Sequence, residues 1–203
     1  MIAAKNNPFG AQRIQAIGYL PQEVSWKQVK TRLKQLGYTA AIVGPHGSGK
    51  TTLLQHLEKQ LSPSGIQTKK LFINLDTKLP WQTIKNGVHS MPPKSILFFD
   101  GANHLPFLRF RHLRFITQKR QIGLVITSHH EGLLPTLVYC RPHLELLTEL
   151  TERLLPEHQT VRQSHLAALF ESHDGNIREC LWQLYDEFTE HLDIINPLNE
   201  IAN

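Results

Sequence analysis

Apolar positions along this chain follow two rhythms. Four short runs are rich in apolar residues, several of them apolar nearly throughout: "TAAIV" (39–43), "KLFINLD" (70–76), "SILFFD" (95–100) and "IGLVITS" (122–128). Glycine, proline or polar residues bound them, so they predict strands covered on both faces. "HLELLTEL" (143–150) is read as a fifth strand. Between these runs, apolar residues recur every three or four positions. Trp26, Val29, Leu33 and Leu36 stripe one side of "PQEVSWKQVKTRLKQLG" (21–37), with Gly37 placed as a C-terminal cap. Leu53, Leu54, Leu57 and Leu61 do the same in "TTLLQHLEKQL" (51–61), and Trp81, Ile84 and Val88 mark a shorter helix stopped by "MPP". Strands alternating with helices predict an α/β fold: a parallel five-stranded sheet flanked by helices.

The rhythm changes after residue 150. No further strand is predicted, and two amphipathic helices are, in "TVRQSHLAALFESH" (160–173) and "GNIRECLWQLYDEFTEHL" (175–192). Ile177, Leu181, Leu184, Tyr185, Phe188 and Leu192 form the stripe of the second. This divides the chain into a leading segment and helix (1–38), an α/β core (39–150) and a small helical module (151–203). Forty per cent apolar and 19% charged residues exclude wholesale disorder. No apolar run approaches the roughly 18 residues of a membrane span. The start lacks the apolar core of a signal peptide, and Cys140 and Cys180 have no metal-ligand spacing. The expectation is a cytoplasmic protein with reduced thiols and no membrane partner.

Charge adds an asymmetry that the net +5 conceals. Residues 1–120 hold 18 Lys and Arg against 4 Asp and Glu, whereas residues 121–203 hold 4 against 13. Such a division suits polyanion binding, head-to-tail assembly into a homo-oligomer, or simple solvation. It is sharpest in "LRFRHLRFITQKRQ" (108–121), where Arg109, Arg111, Arg114, Lys119 and Arg120 meet no acid. Phe107, Phe110, Leu113 and Ile116 interleave with them at roughly helical spacing. Three readings stand: DNA bound through 109–120, an acidic protein partner, or a helix packed by its apolar side with its basic side in water. Lys27, Lys30, Arg32 and Lys34 add basic positions on the helix over 21–37.

The residues with the clearest chemistry are "GPHGSGKTT" (44–52), which fit G-x-x-x-x-G-K-[ST] between an apolar strand and an amphipathic helix. Gly44, Gly47 and Gly49 allow the tight turn that aims successive N–H groups at phosphate oxygens. Pro45, His46 and Ser48 complete the loop, with Thr52 just beyond it. Lys50 is the counter-charge for β- and γ-phosphates, and the Thr51 hydroxyl is a magnesium ligand. Asp100, 50 positions on and at the end of an apolar strand, is the second magnesium anchor. "TSHHEG" follows the fourth strand, at the sheet end where ligands bind. Thr127, Ser128 and His129 there are candidates to reach the γ-phosphate or the attacking water. ATP and Mg2+ are the cofactors these residues imply.

Taken together these motifs resemble an AAA+ P-loop ATPase: "GPHGSGKT" as Walker A, "ILFFDGANHL" as Walker B and "VITSHH" as the sensor-1 strand end. "YCRPHLELLTELT" is similar to the box that carries an arginine finger, and "DGNIRECLWQL" to the sensor-2 helix of a C-terminal lid. The resemblance implies Arg141 as a finger reaching ATP on a neighbouring subunit, and Arg178 as the lid arginine. A surface arginine and an ordinary salt bridge to Glu171 or Asp174 are the plain alternatives. "NPF" and the compact lid look loosely like the ExeA/TniB-type bacterial branch. The chain departs from the family at Gly101, where a water-polarising glutamate is usual. Asn103 and His104, or the histidines after strand four, are the remaining candidates to orient water. The implied function is an ATP-dependent switch or assembly factor with weak or partner-stimulated hydrolysis. A non-hydrolysing regulatory module and a small-molecule kinase are the alternatives.

Overall fold

The computed structural model describes residues 7–20, 24–74, 76, 79–157, 159–190 and 195–197. Along the chain run α1 (Ala11–Ile17), α2 (Trp26–Gln35), β1 (Thr39–Val43), α3 (Lys50–Leu61), β2 (Thr68–Phe72), α4 (Trp81–His89) and β3 (Ile96–Asp100). Then come α5 (Phe107–Lys119), β4 (Gly123–Ser128), β5 (Thr136–Tyr139), α6 (Leu144–Leu154), β6 (Gln159–Val161), α7 (Gln163–Ser172), α8 (Ile177–Thr189) and β7 (Ile195–Pro197). They form two compact units.

The first unit comprises residues 21–45 and 49–140. Its five strands lie in the order β2-β3-β4-β1-β5, every pairing parallel. All five residues of β3 and all six of β4 are buried, which is why those runs read as continuously apolar. Alternate residues serve opposite faces. Ala41, Val43, Leu97, Phe99, Leu124 and Ile126 join Ile84 and Val88 of α4 and Phe110, Leu113 and Ile116 of α5 in one cluster. Helix α3 packs on β1, β3 and β4 through a row of four buried leucines at helical spacing. Helix α2 starts with a complete capping box, in which Ser25 Oγ accepts from Gln28 N while the Gln28 side chain accepts from Ser25 N. It runs over 26–35, shorter than the 21–37 stripe suggests; positions 21–23 lie outside the described residues.

The second unit comprises residues 1–20, 46–48 and 141–203. Its core gathers Phe9, Leu147, Leu150, Leu154, Leu166, Leu169, Ile177, Leu181 and Leu184. The "NPF" segment is built into it. Asn7 Nδ2 donates to the Tyr185 carbonyl at 2.8 Å and to Thr189 Oγ1 at 2.9 Å, and Phe9 meets the Phe188 ring edge-on at 6.0 Å.

Two sequence expectations are corrected. Residues 143–150 are not a strand: Leu144–Leu154 is α6, burying Leu147, Leu150, Thr151 and Leu154 on one face, and the fifth strand is β5. A strand does follow residue 151, since β6 pairs antiparallel with β7, Val161 opposite Ile195. Cys140 and Cys180 are free and buried. Burial pushes the Cys180 thiol up to about 11, with the Glu179 carboxylate adding to the rise and a backbone hydrogen bond opposing it. Among the described residues no helix is long and apolar enough to cross a membrane.

Candidate nucleotide site

The phosphate loop begins where β1 ends. Gly44 N donates to the Ser128 carbonyl at 3.2 Å, tying the start of the loop to the end of β4. The loop closes at Gly49, which adopts left-handed geometry (φ 83°) and leads directly into α3. No side chain caps this helix, so its first-turn N–H groups face the loop without the side-chain acceptor that a Ser or Asp would supply. This is the arrangement that fits an anion: aligned donors at the positive end of a helix dipole. Lys50 Nζ donates to the Pro45 carbonyl at 2.5 Å, so the ammonium lies across the loop rather than along the helix surface. A triphosphate is the better acceptor for that ammonium, because a carbonyl carries only a partial charge. Thr51 and Thr52 occupy the first turn of α3, and both are partly buried.

Asp100 ends β3 with 5% of its surface exposed. One of its carboxylate oxygens is held by a short relay. Gly101 N donates to Thr127 Oγ1 at 2.8 Å, and that hydroxyl donates to Asp100 Oδ1 at 2.5 Å. Oδ1 therefore has a fixed partner. A carboxylate also accepts at its second oxygen, which leaves Asp100 able to serve as a ligand to a cation. Asp100 with the Thr51 hydroxyl is a donor set of hard oxygens suited to Mg2+. No sequence signal points to this task for Thr127, whose place after strand four suggests reach toward a γ-phosphate; its hydroxyl instead donates to Asp100. Ser128 is 2% exposed and donates to the His130 carbonyl at 2.7 Å, a bond local to its own turn. His129 follows at the same strand end, partly buried.

Gly101 shows why no glutamate stands beside Asp100. Its φ is +90°, and a Cβ there would overlap the Ile73 carbonyl oxygen, with the Ile73 carbonyl carbon 3.1 Å away. The Ile73 backbone cannot withdraw cheaply, because Ile73 N bonds to the Asp100 carbonyl at 3.0 Å. Position 101 is thus built for glycine on two counts, conformation and space. Of the water-orienting candidates, Asn103 is exposed, whereas the His104 ring lies 3.3 Å from where that Cβ would be.

In the second unit, Gly47 (φ +68°) lies against the start of α8. A Cβ on Gly47 would overlap Asn176 Oδ1 and sit 3.3 Å from Arg178 N. Asn176 is the N-cap of α8, its side chain accepting from Glu179 N at 3.4 Å. The middle of the phosphate loop therefore touches the first turn of the helix that carries Arg178. The sequence pattern "DGNIREC" points to its arginine and leaves Asn176 unassigned, although asparagine directly before a helix is an N-cap signal. Arg178 is exposed, and among the described residues it forms no ion pair with Glu171 or Asp174. Arg141 is also exposed. Gly47→Ala is expected to lose about 2 kcal/mol, from left-handed strain and a displaced cap. Urea unfolding checks it, and Asn176→Ala in the same chain should relieve part of the loss.

No family model matches this chain, and no curated protein does. Solved structures do. Thermotoga maritima RuvB, a Holliday junction branch migration motor, superposes with TM-score 0.55 at 17% identity, over 85% of this chain and 66% of that one. AMPPCP-bound DnaA from Aquifex aeolicus gives TM-score 0.60 at 16% identity, over 86% and 64%. A DNA replication initiation factor gives 0.57 at 15%, over 83% and 61%. At such identities the likeness is one of fold: a P-loop NTPase sheet flanked by helices. This chain spans slightly less than two thirds of the length of each of these structures.

Proposed function

We propose that this chain is an AAA+-type ATP-binding protein that works as a nucleotide-dependent switch or assembly factor on DNA or a protein partner, with weak intrinsic hydrolysis. The observation that carries the reading is the pairing of a well-built anion loop with a position 101 that admits no carboxylate. Donors at the start of α3, the Lys50 ammonium and the buried Asp100 serve binding. Magnesium held by Thr51 and Asp100 would supply charge neutralisation of the phosphates. Lys50 would exchange the Pro45 carbonyl for β- and γ-phosphate oxygens. Thr127 would keep the Asp100 carboxylate aimed by donating to Oδ1. Asn176 and Arg178 would report loop occupancy to the helical unit through Gly47, and Arg141 would complete the site of a neighbouring subunit.

The DNA element rests on the basic α5 and on the structural neighbours, which include a branch migration motor and a replication initiation factor. The second reading, a module that binds nucleotide and never turns it over, is favoured by Gly101 alone. Steady-state turnover by the purified chain separates the two, measured with and without duplex DNA. Loss of a positioned catalytic base costs on the order of 10²–10⁴ in rate. Against a typical enzyme turnover of about 10 s⁻¹, the expected value is roughly 0.1 s⁻¹ or lower for the chain alone. Turnover near 10 s⁻¹ without partner would overturn the switch reading, and background turnover in every condition would favour the non-hydrolysing module.

A further inference from the structure

Six large apolar side chains stand exposed among the described residues, and three are on α5: Phe107 at 66%, Leu108 at 75% and Phe115 at 60%. At 100° per residue, Phe107, Arg111, Arg114 and Gln118 form one outer row of this helix, with Leu108, Phe115 and Lys119 beside it. The opposite side holds Phe110, Leu113, Ile116 and Thr117, all buried. Packing on the sheet therefore accounts for the inner face and leaves the outer one unexplained. The outer face is basic as well as apolar. No acid occurs in α5, and the Arg111 guanidinium lies over the Phe107 ring at 5.9 Å. Duplex phosphates would satisfy the cations and offer nothing to two phenylalanines and a leucine. A protein surface with an aromatic centre and an acidic rim satisfies both, and exposed aromatics with arginine are the composition of interface centres.

The chain itself carries such a surface. Residues of the α/β unit hold 16 Lys and Arg against 5 Asp and Glu, a balance of +11, and those of the other unit 6 against 12, a balance of −6. In that acidic unit the sole large apolar side chain exposed among the described residues is Trp182, at 55%. It stands on the outer row of α8 between Arg178 and Asp186, with Glu190 one turn further and Glu179 alongside. We propose that the outer face of α5 docks against the Trp182–Asp186–Glu190 face of α8 on a second copy of this chain. This deepens the assembly reading above, yet none of its residues belongs to the phosphate loop. The two faces differ, so the contact is heterologous. Two helix faces bury less than a standard interface, so the expected dissociation constant without other contacts is about 10 µM.

Sedimentation of the full chain from about 1 to 200 µM, at roughly 50 and 500 mM salt, reads this directly. Wild type is expected to associate and to loosen at high salt. Arg111→Glu with Arg114→Glu, or Asp186→Lys with Glu190→Lys, should each weaken association at least about tenfold. An equimolar mixture of those two variants should recover it, because each then meets an opposite charge. Phe115→Ser and Trp182→Ser repeat the test without charge changes, should a charge variant fold poorly. The proposal is overturned by a wild type that stays monomeric throughout, by variants that associate like wild type, or by a mixture no better than its parts. It is equally overturned if the α5 charge variant loses duplex DNA binding while associating normally. Nucleotide affinity measured well below the dissociation constant of the association, where every chain is monomeric, should match wild type in all of these variants; if wild type binds no nucleotide, the ATP reading fails without touching this contact.

Discussion

Gly101→Glu is expected to make the protein less stable and no faster. The substitution supplies the residue type that the resemblance to AAA+ ATPases implies after Asp100, so a sequence argument alone would expect a gain in turnover. The backbone at 101 forbids it. A non-glycine residue at φ +90° costs roughly 1–2 kcal/mol, and the new Cβ would overlap the Ile73 carbonyl oxygen. Relief means displacing backbone that is paired to Asp100 by a 3.0 Å hydrogen bond. Crowding of that kind adds a further 1–3 kcal/mol, roughly. The sum, about 3 kcal/mol, corresponds to a melting temperature lower by ~10 °C in a domain of this size. Calorimetric melting and a turnover assay on the same preparation check both halves. A stable variant with turnover raised tenfold or more would mean that the end of β3 can hold a carboxylate beside Asp100 after all.

Lys50→Ala is expected to weaken Mg·ATP binding about 100-fold, or ~2.7 kcal/mol. The ammonium bonds to the Pro45 carbonyl across the loop, and on the proposed reading a phosphate would take that carbonyl's place. Charge-assisted hydrogen bonds contribute roughly 1.5–3 kcal/mol each, and the loss leaves phosphate charge unbalanced in a partly enclosed site. Stability should change little, since Lys50 is the first residue of α3 and is not part of the leucine face that packs on the sheet. An affinity loss at unchanged melting temperature is therefore the signature sought.

What the sequence revealed and what it hid divide along physical lines. The turn at 44–52 was legible because glycines of fixed spacing join an apolar strand to an amphipathic helix, and the place of Asp100 because it ends a run of apolar residues. The strands over 95–100 and 122–128 were legible because a parallel sheet covered on both sides leaves few polar positions in its central strands, here mostly at their C-terminal ends. "HLELLTEL" misled because eight leucine-rich residues are too few to separate the two periods. Only the continuation to Leu154 shows Leu147, Leu150, Thr151 and Leu154 falling on one helical face. The pairing of β6 with β7 was illegible for another reason: three residues against three, more than 30 positions apart, leave no periodic trace. At the site, the reason for Gly101 and the partners of Thr127 and Asn176 depend on what lies across from them, which a linear pattern does not encode. The basic stretch after residue 107 was legible as a helix, but not the exposure of Phe107, Leu108 and Phe115 on its outer face.

The central claim, that residues 44–52 with Asp100 form an ATP site, is tested most directly by calorimetric titration of Mg·ATP into the purified chain and into its Lys50→Ala variant. The account predicts one site per chain with a dissociation constant in the micromolar range, weakened about 100-fold in the variant and lost from both when magnesium is replaced by a chelator. No heat of binding in the wild type, or equal affinity in the two proteins, would contradict it.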